Sequence, residues 1–122
     1  MRHRLPPSAP AVAPPRALNE RPLLTIEQAA GLASLFKVFA NETRLRLLHA
    51  LVRDGELCVT DLAEAVDMKP QAVSNQLQRL ADRGILGSRR EGNRVYYRVE
   101  DRCVSVLLDR GLCLIECHPE TL

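Results

Sequence analysis

A short helix is predicted over residues 58–68, and a tight connection separates it from a second helix over residues 70–84. Thr60 or Asp61 can cap the first helix. Pro70 suits the first position of the second helix, because the N–H that proline lacks has no partner there in any helix. A short helix, a tight turn and a further helix predict a helix-turn-helix, which leaves few options for the rest of the chain.

The second helix has two chemically different faces. Its apolar face is formed by Val73, Leu77 and Leu80. Its opposite face is polar but uncharged, follows Lys69, and consists of Gln71, Ser74, Asn75 and Gln78. Amide and hydroxyl side chains of this kind read base edges in the major groove, whereas a merely solvated face more often carries Glu and Lys. We therefore predict that residues 70–84 form a recognition helix for double-stranded operator DNA, with a solvated face as the alternative.

A basic hairpin is predicted directly after the recognition helix, over residues 85–99. Two apolar runs flank Gly92 and Asn93, a pair that suits a tight turn. Arg89, Arg90 and Arg94 lie on or near this tip. Between residues 69 and 98 there are seven basic and two acidic residues, although the whole chain carries only +2. This local charge indicates a wing that contacts the DNA backbone or the minor groove.

Helices with wide apolar faces are predicted at both ends of this region, over residues 25–40 and 101–117. Asp101 can cap the second of them. Neither face can be covered fully by one small domain, which predicts that a second copy covers part of them. The predicted fold is mainly α with a small β-hairpin wing, a winged helix-turn-helix that forms a homodimer.

The first 23 residues differ from the rest of the chain. Six of the eight prolines lie before residue 23, which predicts a flexible proline-rich arm ahead of a domain over residues 24–118. This arm has no apolar segment typical of an export signal, and the chain has no apolar run long enough to cross a membrane. We therefore expect a cytoplasmic protein whose thiols stay reduced.

Four cysteines in a reducing compartment indicate metal binding or redox chemistry. Cys113 and Cys117 are four residues apart, so both sulfurs can face one ion from the same side of a helix. Cys103 lies ten residues earlier, about 15 Å along that helix, and can join them only from an antiparallel partner helix. Cys58, in the body of the domain, is the other candidate for a third ligand. Burial of these thiols as small apolar groups is the alternative.

Three segments carry a resemblance to a known family: LFKVFANETRLRLLHAL, GELCVTDLAEAVDMKPQAVSNQLQRLADRGIL and SRREGNRVYYRV. Over residues 25–117 the chain resembles the ArsR/SmtB family of bacterial metal-sensing repressors. The resemblance implies a winged-helix homodimer that represses an operon and leaves the DNA when metal binds. It also implies that the family's two-thiol site before the recognition helix is incomplete, because Thr60 stands where the second Cys is expected.

The terminal helix departs from the zinc sensors of the family. Where they carry an Asp-x-His pair, this chain has Asp101 and Cys103, with Cys113 and Cys117 further on. Two or three thiolates without a carboxylate cluster select a soft ion. The expected effector is Hg(II) or As(III)/Sb(III), in a mercury- or arsenic-resistance operon, while Cd(II) and Zn(II) fit less well. A thiol redox-sensing repressor and a small thiol enzyme are the alternative functions; neither a Cys–His pair nor a large pocket supports the enzyme.

Overall fold

The structure, a computed structural model, describes residues 17–117, which divide into two compact units on either side of residue 41. The first unit holds a single 3₁₀ turn, Leu18–Glu20, and helix α1, Ile26–Phe39. Thr25 begins α1 with a capping box: its hydroxyl accepts from the N–H of Gln28, and the Gln28 side chain accepts from the N–H of Thr25. Most of the predicted proline-rich arm lies outside the described residues.

The second unit begins with helix α2, Glu42–Asp54, which supplies the central layer of its core. Leu47, Leu48 and Leu51 are almost completely removed from solvent on one face of this helix. The helix stops at Gly55, whose φ of 89° is a conformation that residues with a side chain rarely adopt. The Gly55 N–H closes the last turn on the carbonyl of Leu51.

The helix-turn-helix is present as predicted, with helix α3 at Val59–Val66 and helix α4 at Pro70–Asp82. The predicted cap of α3 was wrong: its N-cap residue is Cys58, not Thr60 or Asp61, so the helix begins earlier than the side-chain signal suggested. The predicted apolar faces meet in the core, and their fully buried members are Leu62, Val73, Leu77 and Leu80. The recognition helix ends at Asp82 rather than Gly84, with Arg83 as its C-cap residue.

A left-handed residue makes the connection between α3 and α4 tight. Asp67 has φ 54°, a conformation in which Asp is tolerated better than most residues. The N–H of Met68 then bonds back to the carbonyl of Ala63 at 3.0 Å, which closes the end of α3. Lys69 is extended and precedes Pro70 at the first position of α4, as expected of a residue before proline.

The predicted hairpin consists of strand β2, Leu86–Glu91, and strand β3, Arg94–Val99, joined by Gly92 and Asn93. Gly92 has φ 63°, as a two-residue turn of this type requires. A third strand, β1 at Leu57–Cys58, pairs antiparallel with β3 and gives the sheet the order β1-β3-β2. The sequence did not reveal this strand, because two residues are too few to show an alternating pattern.

Helix α5, Arg102–Cys117, follows the wing. Asp101 caps it as predicted, since its carboxylate accepts a hydrogen bond of 2.8 Å from the N–H of Cys103. Val104 is buried where α5 packs against α2, but large apolar side chains further along stay exposed. These are Val106, Leu112, Leu114 and Ile115. The α2-to-β3 arrangement is a winged helix-turn-helix, and α5 extends it with a helix that the unit does not fully cover.

Among residues 17–117, none of the helices combines the length and the apolar composition needed to span a bilayer.

Truncation of a side chain in the core where α3 packs on α4 should destabilise the protein strongly. Leu77 is fully buried, so Leu77→Ala should lower the free energy of unfolding by about 2–5 kcal/mol through lost burial and the cavity left behind. Leu23→Ala removes the same atoms from a side chain that is 94% exposed and should change the free energy of unfolding by less than about 0.5 kcal/mol. Urea denaturation followed by circular dichroism measures both values. Equal effects of the two substitutions would contradict the assigned core.

Candidate nucleic-acid interface and thiol pair

The predicted reading residues share one face of α4. Gln71, Asn75 and Gln78 are exposed and Ser74 is half-buried, at spacings of three and four residues that place them side by side. The Gln71 amide donates to Asn75 at 3.2 Å, and the Gln78 amide donates to Asp82 at 2.9 Å. Exposed side-chain hydrogen bonds of this kind can be exchanged for bonds to base edges at little cost.

The fixed side of α4 faces the rest of the unit. Gln76, on the side of α4 away from the reading face, accepts a hydrogen bond of 2.7 Å from Nε of Arg44 on α2. This contact and the buried leucines fix the inner side of α4 to the rest of the unit, so its polar face is directed toward solvent. Lys69, the residue before α4, is exposed at the end where the helix dipole is positive, and both features favour a phosphate.

The wing residues fall into two groups. Arg90 and Asn93 are exposed at the tip, where an approaching phosphate can reach them. The Arg89 side chain is instead engaged by other residues of the protein. It forms ion pairs with Glu56 at 2.7 Å and Glu91 at 3.3 Å and lies 4.6 Å from the ring centroid of Tyr96. The hydrogen bond that Arg89 donates to the Glu56 carboxylate raises the pKa of Arg89 above its ordinary value.

Arg94 connects the wing to the start of α3. Its Nη1 donates to Sγ of Cys58 at 3.7 Å, within the range for a weak hydrogen bond to sulfur. That contact is the largest cause of the raised pKa of Arg94. Cys58 is only 2% exposed, so its thiol lies inside the unit and is already engaged. The sequence did not indicate this contact, because the pairing of β1 with β3 creates it.

Cys113 and Cys117 are brought together as predicted. Their sulfur atoms lie 3.7 Å apart, both side chains are exposed, and both thiols are free. Two sulfurs bound tetrahedrally to one ion at 2.3 Å would be about 3.8 Å apart. The pair therefore has the separation that shared coordination of one soft ion requires, with little side-chain rearrangement.

Cys103 lies on the same face of α5 as Cys113 and Cys117 but at the opposite end of the helix. Positions 103, 106, 110, 113 and 117 follow alternating steps of three and four residues, which forms one stripe along α5. Cys103 is exposed, and a hydrogen bond to Asp101 raises the pKa of its thiol. In the part of the chain that the structure describes, no three His, Cys, Asp or Glu side chains are grouped so that they could hold a metal.

Comparison with protein families matches residues 41–88 to the model described as bacterial regulatory protein, arsR family. The cadmium resistance transcriptional regulatory protein CadC from Listeria innocua is 33% identical over 82 residues, which cover 67% of this chain and 69% of that protein.

Two solved structures are similar to this one. A crystal structure of the AntR antimony-specific transcriptional repressor is 59% identical and covers 90% of this chain and 99% of its own, with a TM-score of 0.77. The homodimeric winged helix-turn-helix DNA-binding domain Mb0332 from Mycobacterium bovis is 33% identical and covers 81% of this chain and 94% of its own, with a TM-score of 0.67.

The hydrogen bond between Cys103 and Asp101 generates a prediction on thiol reactivity. Because Asp101 raises the pKa of Cys103, the thiol holds less of the reactive thiolate near neutral pH. Asp101→Asn keeps a good helix cap but removes the negative charge, so the pKa should fall and alkylation of Cys103 by iodoacetamide should become faster. Mass spectrometry of the labelled peptides measures the rate, with Cys113 in the same digest as the internal control. An unchanged ratio of the two rates would contradict the assigned contact.

Proposed function

Because this chain belongs to the ArsR family of bacterial regulatory proteins, we propose that it is a homodimeric repressor that leaves its operator when trivalent antimony or arsenic binds its terminal cysteines. The observation that carries this proposal is the exposed Cys113–Cys117 pair with sulfurs 3.7 Å apart. The 59% identity to a repressor described as antimony-specific supports the choice of ion.

The DNA half of the proposal rests on α4 and the wing. The polar face of α4 supplies hydrogen-bond donors and acceptors for base edges in the major groove. Lys69, Arg90 and Asn93 are exposed beside it and supply phosphate contacts that fix position without reading sequence. Arg94 contributes charge from its place beside Cys58, and Arg89 contributes only when its ion pairs open.

The dimer is proposed from exposed apolar surface. Ile26, Leu32 and Phe36 of α1 are exposed, as are Val106 and Leu114 on the cysteine side of α5. Large apolar side chains that stay exposed on a helix are costly in water and indicate a partner surface. The similar Mb0332 domain is described as homodimeric. A second copy packed on these helices places two recognition helices on one operator.

A second copy also supplies the third thiolate. Cys58 is a poor candidate because it is 2% exposed and bonded to Arg94. Cys103 is exposed and shares the α5 stripe with the pair. If two α5 helices pack antiparallel about a two-fold axis near position 109 or 110, Cys103 of one copy lies opposite Cys113 and Cys117 of the other. Symmetry then produces two equivalent three-thiolate sites in each dimer.

Three thiolates and no fourth ligand suit a trivalent ion that forms three bonds. Sb(III) and As(III) are neutralised fully by three thiolates, whereas Zn(II) usually takes four ligands. Hg(II) is satisfied by two sulfurs, and Cd(II) is bound with more ligands. A titration with each of these ions therefore tests the choice of Sb(III) or As(III). A coupling free energy of about 1–3 kcal/mol between ion and DNA changes operator affinity roughly 5–150-fold.

Substitutions on the reading face should weaken operator binding selectively. Ser74→Ala and Gln78→Ala each remove a base-edge hydrogen bond and should cost about 1–3 kcal/mol on the operator, with little effect on unrelated duplex DNA. Arg90→Ala should weaken both duplexes alike and reduce the salt dependence by about one unit of slope. Fluorescence anisotropy at several salt concentrations measures all of these affinities. Full operator affinity in both helix variants would place the reading surface elsewhere.

Serine substitutions of the cysteines test the sensing site. Cys113→Ser, Cys117→Ser and Cys103→Ser should bind the operator normally but stay bound after addition of Sb(III) or As(III), because serine keeps the size and loses the soft ligand. Cys58→Ser is the matched control and should still release DNA. Gel shifts measure release by each ion under reducing conditions and release by peroxide without a reductant. Release of the Cys113 and Cys117 variants at the wild-type antimony concentration contradicts the proposal, and release by peroxide alone indicates a redox sensor.

A further inference from the structure

Four charged side chains form a continuous row of ion pairs beside the wing. Nε of Arg89 lies 2.7 Å from Oε1 of Glu56, and Nη1 of Arg98 lies 3.7 Å from Oε2 of the same carboxylate. Nε of Arg98 lies 3.4 Å from Oε2 of Glu100. The Glu56 carboxylate therefore pairs with Arg89 of β2 and with Arg98 of β3. Arg98 in turn pairs with Glu100, in the segment that leads into α5.

The Glu100 end of the row lies between the sheet and the cysteine helix, because the Glu100 N–H bonds to the carbonyl of Ile85 at 3.1 Å and α5 begins two residues later. Glu100 is 5% exposed at its side chain, and its carboxyl group packs directly on Gly87, where a Cβ would lie 2.5 Å from Cδ of Glu100. Glu100 directly precedes Asp101, whose carboxylate holds the N–H of Cys103. The ion pair between Arg98 and Glu100 therefore lies at the point where the first turn of α5 joins the sheet.

The Arg89 end of the row lies among the predicted DNA contacts. Arg89 and Arg90 are neighbours on β2, but Arg89 is engaged by Glu56, by Glu91 and by the ring of Tyr96. A guanidinium that is paired with a carboxylate contributes little to the neutralisation of a phosphate. Glu56 and the DNA backbone therefore compete for the same cation.

We propose that Glu56 is the positioning residue that couples the cysteine site to the wing, an inference that rests on the proposed function. Ion binding at Cys103 moves the start of α5, and Glu100 draws Arg98 away from Glu56. Both oxygens of Glu56 are then left to Arg89, which is held more firmly off the phosphate. The same linkage works in reverse, since DNA that engages Arg89 leaves Glu56 to Arg98 and favours the ion-free position of α5.

The partial exposure of the row suits such an exchange. Side chains of Arg89, Glu56 and Arg98 are 30–45% exposed, so no single pair is strong and partners can be exchanged at low cost. One carboxylate shared by two guanidiniums has two alternative arrangements, which is the bistable element that coupling requires. Glu56 touches neither the ion nor the bases, so its effect is expected on the coupling and not on ion affinity in the absence of DNA.

The test compares Glu56→Gln with Asp54→Asn in the full-length protein. Both substitutions replace a carboxylate by its amide and change net charge equally, but Asp54 pairs at 2.8 Å with Arg53 on the exposed end of α2. Operator Kd is measured by anisotropy with and without potassium antimonyl tartrate, at several salt concentrations. Bound antimony is measured by mass spectrometry, and Tm by circular dichroism. Gly87→Ala, which displaces the Glu100 carboxyl, perturbs the other end of the row.

Glu56→Gln should bind the ion-free operator severalfold more tightly, with a salt slope steeper by about one, because Arg89 is released to the phosphate. The ratio of Kd with antimony to Kd without it should fall at least threefold below the wild-type ratio, at unchanged antimony stoichiometry and similar Tm. Asp54→Asn should keep the wild-type ratio, and Gly87→Ala should lower it.

If Glu56→Gln has the same ratio of Kd with antimony to Kd without it as the wild type, the inference is overturned, whatever Gly87→Ala shows. An equal loss in Asp54→Asn also overturns it, because the effect is then one of net charge. If wild-type protein itself keeps its operator in antimony, both the proposed function and this inference fail. Release of wild-type and Glu56→Gln protein at the same ratio refutes the coupling alone.

Discussion

The packing of α3 on α4 is the constraint on which the other features depend. Leu62 of α3 and Val73 and Leu77 of α4 are fully buried in the unit where the two helices pack together, and the left-handed residue Asp67 sets the short connection between them. Because the buried face of α4 is fixed by these contacts, its opposite face must point outward. The side chains proposed to read bases are thus oriented by core residues on the opposite face of α4.

The small sheet attaches the wing to this helical core. Strand β1 is only two residues long, yet it places Cys58 beside β3 and at the start of α3 at the same time. Cys58 meets Arg94 there, so its thiol is buried and engaged within the unit. Position 60 is Thr, so no second thiol lies beside it at the start of α3. Sensing is consequently proposed for the terminal helix.

The ion site proposed for the terminal helix is incomplete within one chain. Cys113 and Cys117 provide two sulfurs at a suitable separation, and the described part of one chain supplies no third ligand beside them. A site that needs a second copy links ion binding to the geometry of the dimer, because the ion stabilises one relative placement of the two α5 helices. The row from Glu100 to Arg89 then offers a physical route by which that placement reaches the wing.

Local patterns in the sequence determined most of the helices, the hairpin with its Gly92–Asn93 turn, the polar face of α4 and the Cys113–Cys117 pair. Each of these depends on residues within one or two helical turns or on adjacent strands, where spacing alone dictates which side chains are neighbours. The tertiary structure decided the pairing of β1, the burial of Cys58 against Arg94 and the engagement of Arg89 by Glu56. These contacts join residues more than thirty positions apart, and no local periodicity encodes which distant strand a two-residue segment will choose. Such groups become neighbours only through the tertiary fold, so their roles become visible only in three dimensions.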